Sequence, residues 1–362
     1  MSDSSKNPLR VISSGVLEGR YNIALGQALI ESHSDSASID TLRFLRFPPT
    51  ALVGRHQDLS REVNVQYCLD NNIGVVRRIT GGGAIFLDQG QLGWELVVSR
   101  KTLGNLGLAE VAEKVCTAAA NGLSKLGIDV KFRPRNDLEV DGRKISGTGG
   151  FFDGDTLFFQ GTVLVDMNPE DMEKALNVPQ AKLRKKGITS AGQRIVTLSE
   201  LLGDKTPPMA EIEQSVLAGI VEGFNFTPRA GEFTEQEKVL AQECFDDEIG
   251  RDDFLYEIDS PASEHKVFSG TYQSAGGTIT SYIRLDGTKN DRIREIVITG
   301  DFFITPPRVI MDLESKLRGL WVKDIEKATL EFFTESKVEM MSAQPQDFIM
   351  SFDAALKGEA TP

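Results

Sequence analysis

Arg77-Arg78-Ile79-Thr80-Gly81-Gly82-Gly83-Ala84-Ile85-Phe86 sets a basic pair and three consecutive glycines between two apolar, strand-like runs. Glycine has no Cβ, so its backbone passes through φ > 0 at little cost and lets another group come close to the amides. Three in a row weaken an ordinary sheet, so they belong where a tight turn or a close approach is needed. Two readings stand side by side. In one, the amides of the turn, with Arg77 or Arg78 adding charge-assisted hydrogen bonds, cradle a phosphate or a carboxylate. In the other, the stretch is a glycine-rich hairpin turn flanked by solvated arginines.

Outward from this turn the apolar periodicity alternates between helix and strand. Before it, the spacing predicts a helix over Tyr21 to Ser32, strands at Leu42 to Phe47 and Ala51 to Gly54, a short helix capped by Asn64 and ended near Asn72, and a strand at Val75 to Ile79. After it come strands at Ala84 to Leu87 and Trp94 to Ser99. The helix over Leu108 to Leu126 carries one apolar stripe read as core, from Leu108 and Val111 through Val115 to Leu123. Val130 to Phe132, Asp137 to Val140 and Lys144 to Ser146 read as strands, with Asp141-Gly142 as a two-residue hairpin turn, and Leu157 to Val165 as another. Helices follow from Pro169, at Met209 to Phe224 and at Glu235 to Phe245. The acidic stretch Asp246 to Asp253 reads as a linker or domain edge.

Beyond that edge lies a smaller unit, with strands near Val267, at Thr278 to Leu285 and at Ile293 to Thr299. Helices are predicted at Pro307 to Arg318, Lys323 to Phe332 and Pro345 to Leu356. The fold class is therefore α+β / α/β, with a larger domain over residues 1–250 and a smaller one over 251–362. A chain of 362 residues suits two such units.

Composition removes several function classes. No apolar run approaches the roughly 20 residues that cross a bilayer, and Met1 to Arg10 is too polar for a secretory signal, so the expected location is cytoplasmic, with no membrane partner. Cys68, Cys116 and Cys244 are scattered and form no Cys-x-x-Cys pair, which leaves buried thiols as their expected state. Three histidines far apart give little material for a histidine metal site or a Ser-His-Asp triad. A formal charge of −13 argues against nucleic acid as a partner.

Two further elements are candidates for chemistry. Asn136-Asp137 is followed by Arg143-Lys144-Ile145-Ser146-Gly147-Thr148-Gly149-Gly150, where Lys144 is either an exposed hairpin lysine or a mobile point charge that reaches a phosphate or carbonyl oxygen. Lys182-Leu183-Arg184-Lys185-Lys186-Gly187-Ile188 is a basic run in an acidic protein. It reads either as a solvated face or as a loop that folds over a bound anion.

With these elements in this order, the chain resembles the lipoate-protein ligase A family of the biotin/lipoate ligase superfamily, from about Asn22 to about Leu356. The resemblance rests on Asn22-Ile23-Ala24-Leu25, Gly54-Arg55-His56-Gln57, Glu62-Val63-Asn64, Val76 to Ala84 with Asp88, Asn136-Asp137-Leu138 and Lys144-Ile145-Ser146-Gly147. It continues through Gly161-Thr162, Lys186-Gly187-Ile188-Thr189-Ser190 with Arg194, Gly276-Gly277-Thr278-Ile279 and Ile298-Thr299-Gly300-Asp301-Phe302-Phe303.

The resemblance implies a large mixed-sheet catalytic domain that forms an acyl-adenylate, followed by a smaller accessory α/β domain. It implies a two-step ligation: lipoate and MgATP give lipoyl-AMP and pyrophosphate, and the lipoyl group then passes to a lysine of a carrier. The carrier would be the lipoyl domain of a 2-oxoacid dehydrogenase E2 subunit, the glycine cleavage H protein or a related protein. By the same resemblance Lys144 is the catalytic cation, and Arg78, Gly83, Ala84, Ile85, Phe86 and Lys144 contact ATP or the adenylate. Gly81, Gly82, Gly83, Lys144, Gly147, Gly161 and Thr162 contact the acyl group, Lys186, Gly187 and Ile188 cover the adenylate, and Asn136 and Asp137 hold Mg2+.

The chain departs from the family's pattern at Leu87, where histidine is usual, and at Gln91, Gly93, Gly149, Thr197 and Gly26. Most of these fall on the acyl side, so adenylation is better supported than the choice between lipoate and octanoate. Two other classes stay open: an acyltransferase that works through a cysteine thiolate without ATP, and a non-catalytic protein that binds a lipoyl carrier.

Overall fold

The computed structural model describes residues 7–35, 38–134, 136–177, 194–258, 267–286 and 291–358. The basic run over 182–188, including Lys186, Gly187 and Ile188, lies outside the described residues.

Strand β1 (Asn7–Val16) pairs in parallel with β2 (Thr41–Arg46), and helix α1 (Gly19–Ser34) connects them. Next come β3 (Thr50–Val53), β4 (Gly74–Arg77) and β5 (Ile85–Leu87), a separate small sheet in the order β4-β3-β5 that carries the glycine turn between β4 and β5. The principal sheet is completed by β6 (Gln91–Ser99), β7 (Lys131–Arg133), β8 (Asp137–Val140), β9 (Arg143–Asp153), β10 (Thr156–Leu164) and β11 (Phe226–Ala230). Its eight strands run β11-β1-β2-β6-β10-β9-β8-β7, parallel at the β11-β1-β2 end and antiparallel elsewhere.

Both faces of this sheet are buried, which is why β6 and β10 read as nearly continuous apolar runs. One face, with Phe44, Leu96, Val98 and Phe159, packs on α2 (Leu108–Ser124) and α3 (Met209–Phe224). The other, with Leu45, Val97, Phe151 and Phe158, packs on Ile23, Ala24 and Ile30 of α1. Helix α4 (Glu235–Cys244) backs α1 through Ala241.

The smaller unit is an antiparallel sheet of β12 (Phe268–Ser274), β13 (Gly277–Asp286) and β14 (Arg292–Gly300). Its core includes Ile279, Ile283, Ile296, Leu313 and Phe348, brought in by α5 (Val309–Leu317), α6 (Ile325–Glu335) and α7 (Pro345–Lys357). The two units are in direct contact. Phe302 of the smaller one stacks on His56 of the larger at 5.0 Å between ring centres. Glu339 accepts from Arg100 Nη2 and from the Leu108 amide at the start of α2, each at 2.7 Å.

The acidic stretch read as a linker or domain edge is folded against the larger unit. Phe245–Ile249 is a π-helical turn and Asp252–Leu255 a short helix. Arg20 donates to Gly250 O at 2.6 Å and to Asp252 at 2.8 Å, so an arginine distant in sequence ties this run to the larger unit. No helix among the described residues is long and apolar enough to cross a membrane.

Candidate functional site

The basic pair divides its work, and neither arginine is solvated. Arg77 is 1% exposed and donates to the carbonyls of Gly54, Arg55, Gln57, Phe254, Leu255 and Ile258. Its guanidinium is therefore a structural hub that ties residues 54–57 to 254–258. Arg78 donates to Thr80 Oγ1 and Leu52 O, and through Nη2 to Gly81 O at 2.8 Å and Gly83 O at 2.7 Å. It thus clamps the glycine turn from inside. Burial, then the charge of Arg77, brings Arg78 down to about 10, which still leaves it cationic at neutral pH.

The turn needs glycine for a stated reason. Gly82 has φ of +91°, and a Cβ there would stand 2.6 Å from Phe303 Cζ and 3.0 Å from Arg78 Nη2. The close approach expected at this stretch is thus made, in part, by a phenylalanine of the smaller unit.

Beside the turn a cavity of about 250 Å³ opens between α1, the small sheet and strands β6, β9 and β10. Its lining gathers Arg78, Gly81, Gly82, Gly83, Ala84, Ile85 and Phe86 from the turn with Lys144, Gly147, Gly161 and Thr162 from the hairpin strands. Asn136 also lines it, whereas Asp137 stands behind Lys144. The remainder of the wall is mostly apolar, including Ile23, Leu45, Leu52 and Trp94.

Lys144 is aimed by its hairpin. Asp141 and Gly142 adopt φ of 49° and 78°, the two-residue turn expected there. A register shift between Leu138 and Glu139 then breaks the regular pairing of β8 with β9, the kind of irregularity that redirects a side chain. The Lys144 ammonium reaches Asp137 Oδ1 at 2.8 Å and lies over Gly147, where a Cβ would be 2.7 Å from Nζ. Burial pushes the Asp137 carboxyl up, but Lys144 and Arg133 outweigh it and hold the group below its ordinary value.

Asp137 therefore has one oxygen on Lys144 and the other on Arg133, and the Asn136 amide donates to Thr148 O at 2.6 Å. Among the described residues no group of three or more His, Cys, Asp or Glu side chains is arranged for a metal ion. In this arrangement the polar atoms of Asn136 and Asp137 position Lys144 and the strand beside it.

Several lining residues had no functional reading in the sequence. Phe303 closes the cavity from the smaller unit and packs on Gly149, where a Cβ would stand 2.1 Å from its Cε1. Its signal was present in the Thr299-Gly300-Asp301-Phe302-Phe303 motif, although without a role. Glu95 was hidden in an apolar strand. It is 3% exposed and accepts from Arg43 Nη1 at 3.0 Å. Burial pushes the Glu95 carboxyl up and the Arg43 guanidinium down, and each is the other's counterion.

The three thiols stand outside the cavity lining. Burial raises Cys68 to about 11, and Cys116 and Cys244 to about 12, far from a reactive thiolate. His56 is buried beneath Phe302 and brought down to about 3 by burial, then by Arg55 and Arg77, so it remains neutral.

Residues 18–221 match the family model for the lipoyl protein ligase A/B catalytic domain. The chain is 32% identical over 197 residues to the lipoate-protein ligase LplJ of Bacillus subtilis, an alignment that spans 54% of this chain and only 58% of LplJ. It is 26% identical over 259 residues to the octanoyltransferase LipM of Kyrpidia tusciae, across 65% of this chain and 93% of LipM. Its backbone superposes on the crystal structure of LipL1 of P. falciparum with lipoate at a TM-score of 0.70 and 17% identity, covering 91% of this chain and 95% of the other, which establishes the shared fold. The catalytic-domain match takes in more than half of the 362 residues and includes the glycine turn, the Lys144 hairpin and the strands behind them; the chain belongs to the lipoyl protein ligase A/B catalytic-domain family.

Proposed function

We propose that this protein is an ATP-dependent lipoate-protein ligase. The observation that carries the proposal is the convergence on one cavity of the Lys144 ammonium, the Arg78-clamped glycine turn and an apolar wall. In the first step a carboxylate oxygen of the acid attacks the α-phosphorus of MgATP, and the bond to the leaving pyrophosphate breaks. Negative charge grows on the α-phosphoryl oxygens, where a fixed cation and turn amides stabilise it more than water does. Lys144 supplies that cation, and the turn from Gly83 to Phe86 supplies backbone beside the nucleotide. In the second step a carrier lysine amine attacks the acyl carbonyl, the bond from that carbon to the bridging anhydride oxygen breaks so that AMP leaves with the oxygen, and the amine loses its proton to solvent.

The apolar wall holds the acyl chain, with Gly81, Gly82, Gly147, Gly161 and Thr162 leaving room for it. The carrier is the lipoyl domain of a 2-oxoacid dehydrogenase E2 subunit, glycine cleavage H protein or a related carrier. The test is incubation of the protein with MgATP, lipoate, octanoate and candidate acceptor domains, followed by intact mass measurement of the acceptors. An ATP-dependent gain of one acyl group on one acceptor lysine is expected; no gain with any acceptor refutes the proposal.

Similarity to an octanoyltransferase supports a second reading, acyl transfer through a cysteine without ATP. Raised thiols that stand outside the cavity lining weigh against it.

A further inference from the structure

The face of the principal sheet that meets the cavity is built in rows. Cross-strand pairing aligns Leu45, Gly93 and Thr162 in one row and Arg43, Glu95 and Gln160 in the next. The first row offers small or apolar surface to an acyl chain. The second is a buried ionic row placed about 7 Å further along the strands, two residues at the usual rise. Glu95 and Gln160 both line the cavity.

Each guanidinium nitrogen of Arg43 donates within this network. Nη1 bonds Asn22 O at 2.9 Å and Glu95 Oε2 at 3.0 Å, Nη2 bonds Asn22 Oδ1 at 2.5 Å, and Nε bonds Ser14 Oγ at 3.1 Å. No donor among the described residues reaches Glu95 Oε1. Helix α1 passes over that oxygen at Gly26, where a Cβ would stand 3.2 Å from it. At the cavity this oxygen is open to water, so a ligand that displaces the water without replacing its hydrogen bond leaves an acceptor unpaired, and one that brings a donor avoids that penalty. A purely alkyl chain cannot.

Resting on the reading of this cavity as the acyl site, we propose that Glu95, braced by Arg43, selects medium-chain carboxylic acids that carry a hydroxyl or thiol donor in the distal half of the chain over unsubstituted fatty acids. A site built to hydrogen-bond a substituent rejects the analogue that lacks it far more strongly than an apolar pocket rejects an extra methylene.

The test reads binding alone, without ATP or an acceptor. Trp94 lines the cavity, and the second tryptophan, Trp321, is 46% exposed, so a Trp321→Phe background leaves Trp94 as the reporter. Titration with 6-hydroxyoctanoate, dihydrolipoate and octanoate is expected to give at least about tenfold tighter binding of both donor-bearing acids. In the Arg43→Met/Glu95→Leu double variant, which removes both charges together, the ratio should fall to about twofold or less. A Gly26→Ser variant, which sets a hydroxyl beside Oε1, should lower the ratio in the same direction and keeps the test decisive if the double variant does not fold. Octanoate binding as tightly as the hydroxy acid in the parent protein, or an unchanged ratio in the folded variants, overturns the inference while leaving the acyl site intact. Failure of all three acids to bind overturns the acyl site as well.

Discussion

Lys144 Nζ and Asp137 Oδ1 stand 2.8 Å apart across a hairpin whose register is shifted between Leu138 and Glu139. The lysine is thereby held over Gly147 at the cavity, and Arg133 takes the other oxygen of Asp137. This arrangement separates two functions: Lys144 carries the charge and Asp137 places it.

Lys144→Ala is accordingly expected to lower acyl-adenylate formation by about two to three orders of magnitude, the size of effect seen when one preorganised charge stabiliser is removed. Asp137→Asn keeps the lysine and loses only its anchor, so a smaller loss of about tenfold is expected. Acid-dependent pyrophosphate release measures both. Release at the parental rate from Lys144→Ala removes the assigned role.

Replacing Cys68, Cys116 and Cys244 together by alanine distinguishes ligation from thiolate transfer. Cys116 Sγ lies 3.1 Å from Thr148 Oγ1, behind a lining residue, and all three thiols are raised. Acyl transfer is expected to retain its ATP dependence and to stay within about threefold of the parent, since no step uses a thiolate. Stability is the expected casualty, by about 1 kcal/mol or more from the buried sites. Loss of transfer in a folded triple variant establishes the cysteine route.

What the sequence discloses of this site depends on how local its cause is. The Asp141-Gly142 turn, the Asn64 cap and the stripe of α2 are legible because residues within a few positions determine them, and each stands as expected. Strand β9 was expected to stop at Ser146 and instead continues through Gly147, Thr148, Gly149 and Gly150 to Asp153. Intrinsic propensity penalises those glycines, but pairing with β10 and the approach of Phe303 require them. The structural role of Arg77 fell outside both readings of the basic pair for a similar reason: the carbonyls that bury it belong to residues 54–57 and 254–258. Strand β11 was missed because the partner that makes it a strand, β1, lies more than two hundred residues away in the chain.

The contact between Gly149 and Phe303 gives a test of how tightly the smaller unit closes the cavity. A Cβ on Gly149 would stand 2.1 Å from Phe303 Cε1, inside any permitted separation, so Gly149→Ala forces the ring or the strand to move. A loss of about 1–3 kcal/mol is expected, typical of overpacking a buried contact. Phe303→Leu on its own is expected to cost about 1 kcal/mol, and in the double variant the smaller side chain should recover most of the Gly149→Ala loss. Chemical unfolding of the four proteins measures the cycle. Strict additivity shows that the two residues do not meet.

Glu314 gives a pH dependence confined to the smaller unit. It accepts from the Ile298 amide at 2.7 Å, and burial pushes its carboxyl up to about 7 against the opposing pull of that amide and of Arg318. A carboxyl raised by folding is held in its neutral form, so its contribution is complete below the ordinary value near 4.5 and is lost as pH rises towards 7. Glu314→Gln keeps an acceptor for the Ile298 amide and removes the ionisation. Between about pH 5 and pH 8 the stability of the parent is therefore expected to fall relative to Glu314→Gln by about 2 kcal/mol, after discounting the full shift for partial exposure. Urea unfolding of the two proteins at both pH values measures the difference, and in the subtraction groups with the opposite slope, such as Asp137, cancel. A difference that stays constant with pH shows that Glu314 ionises without penalty in the folded protein.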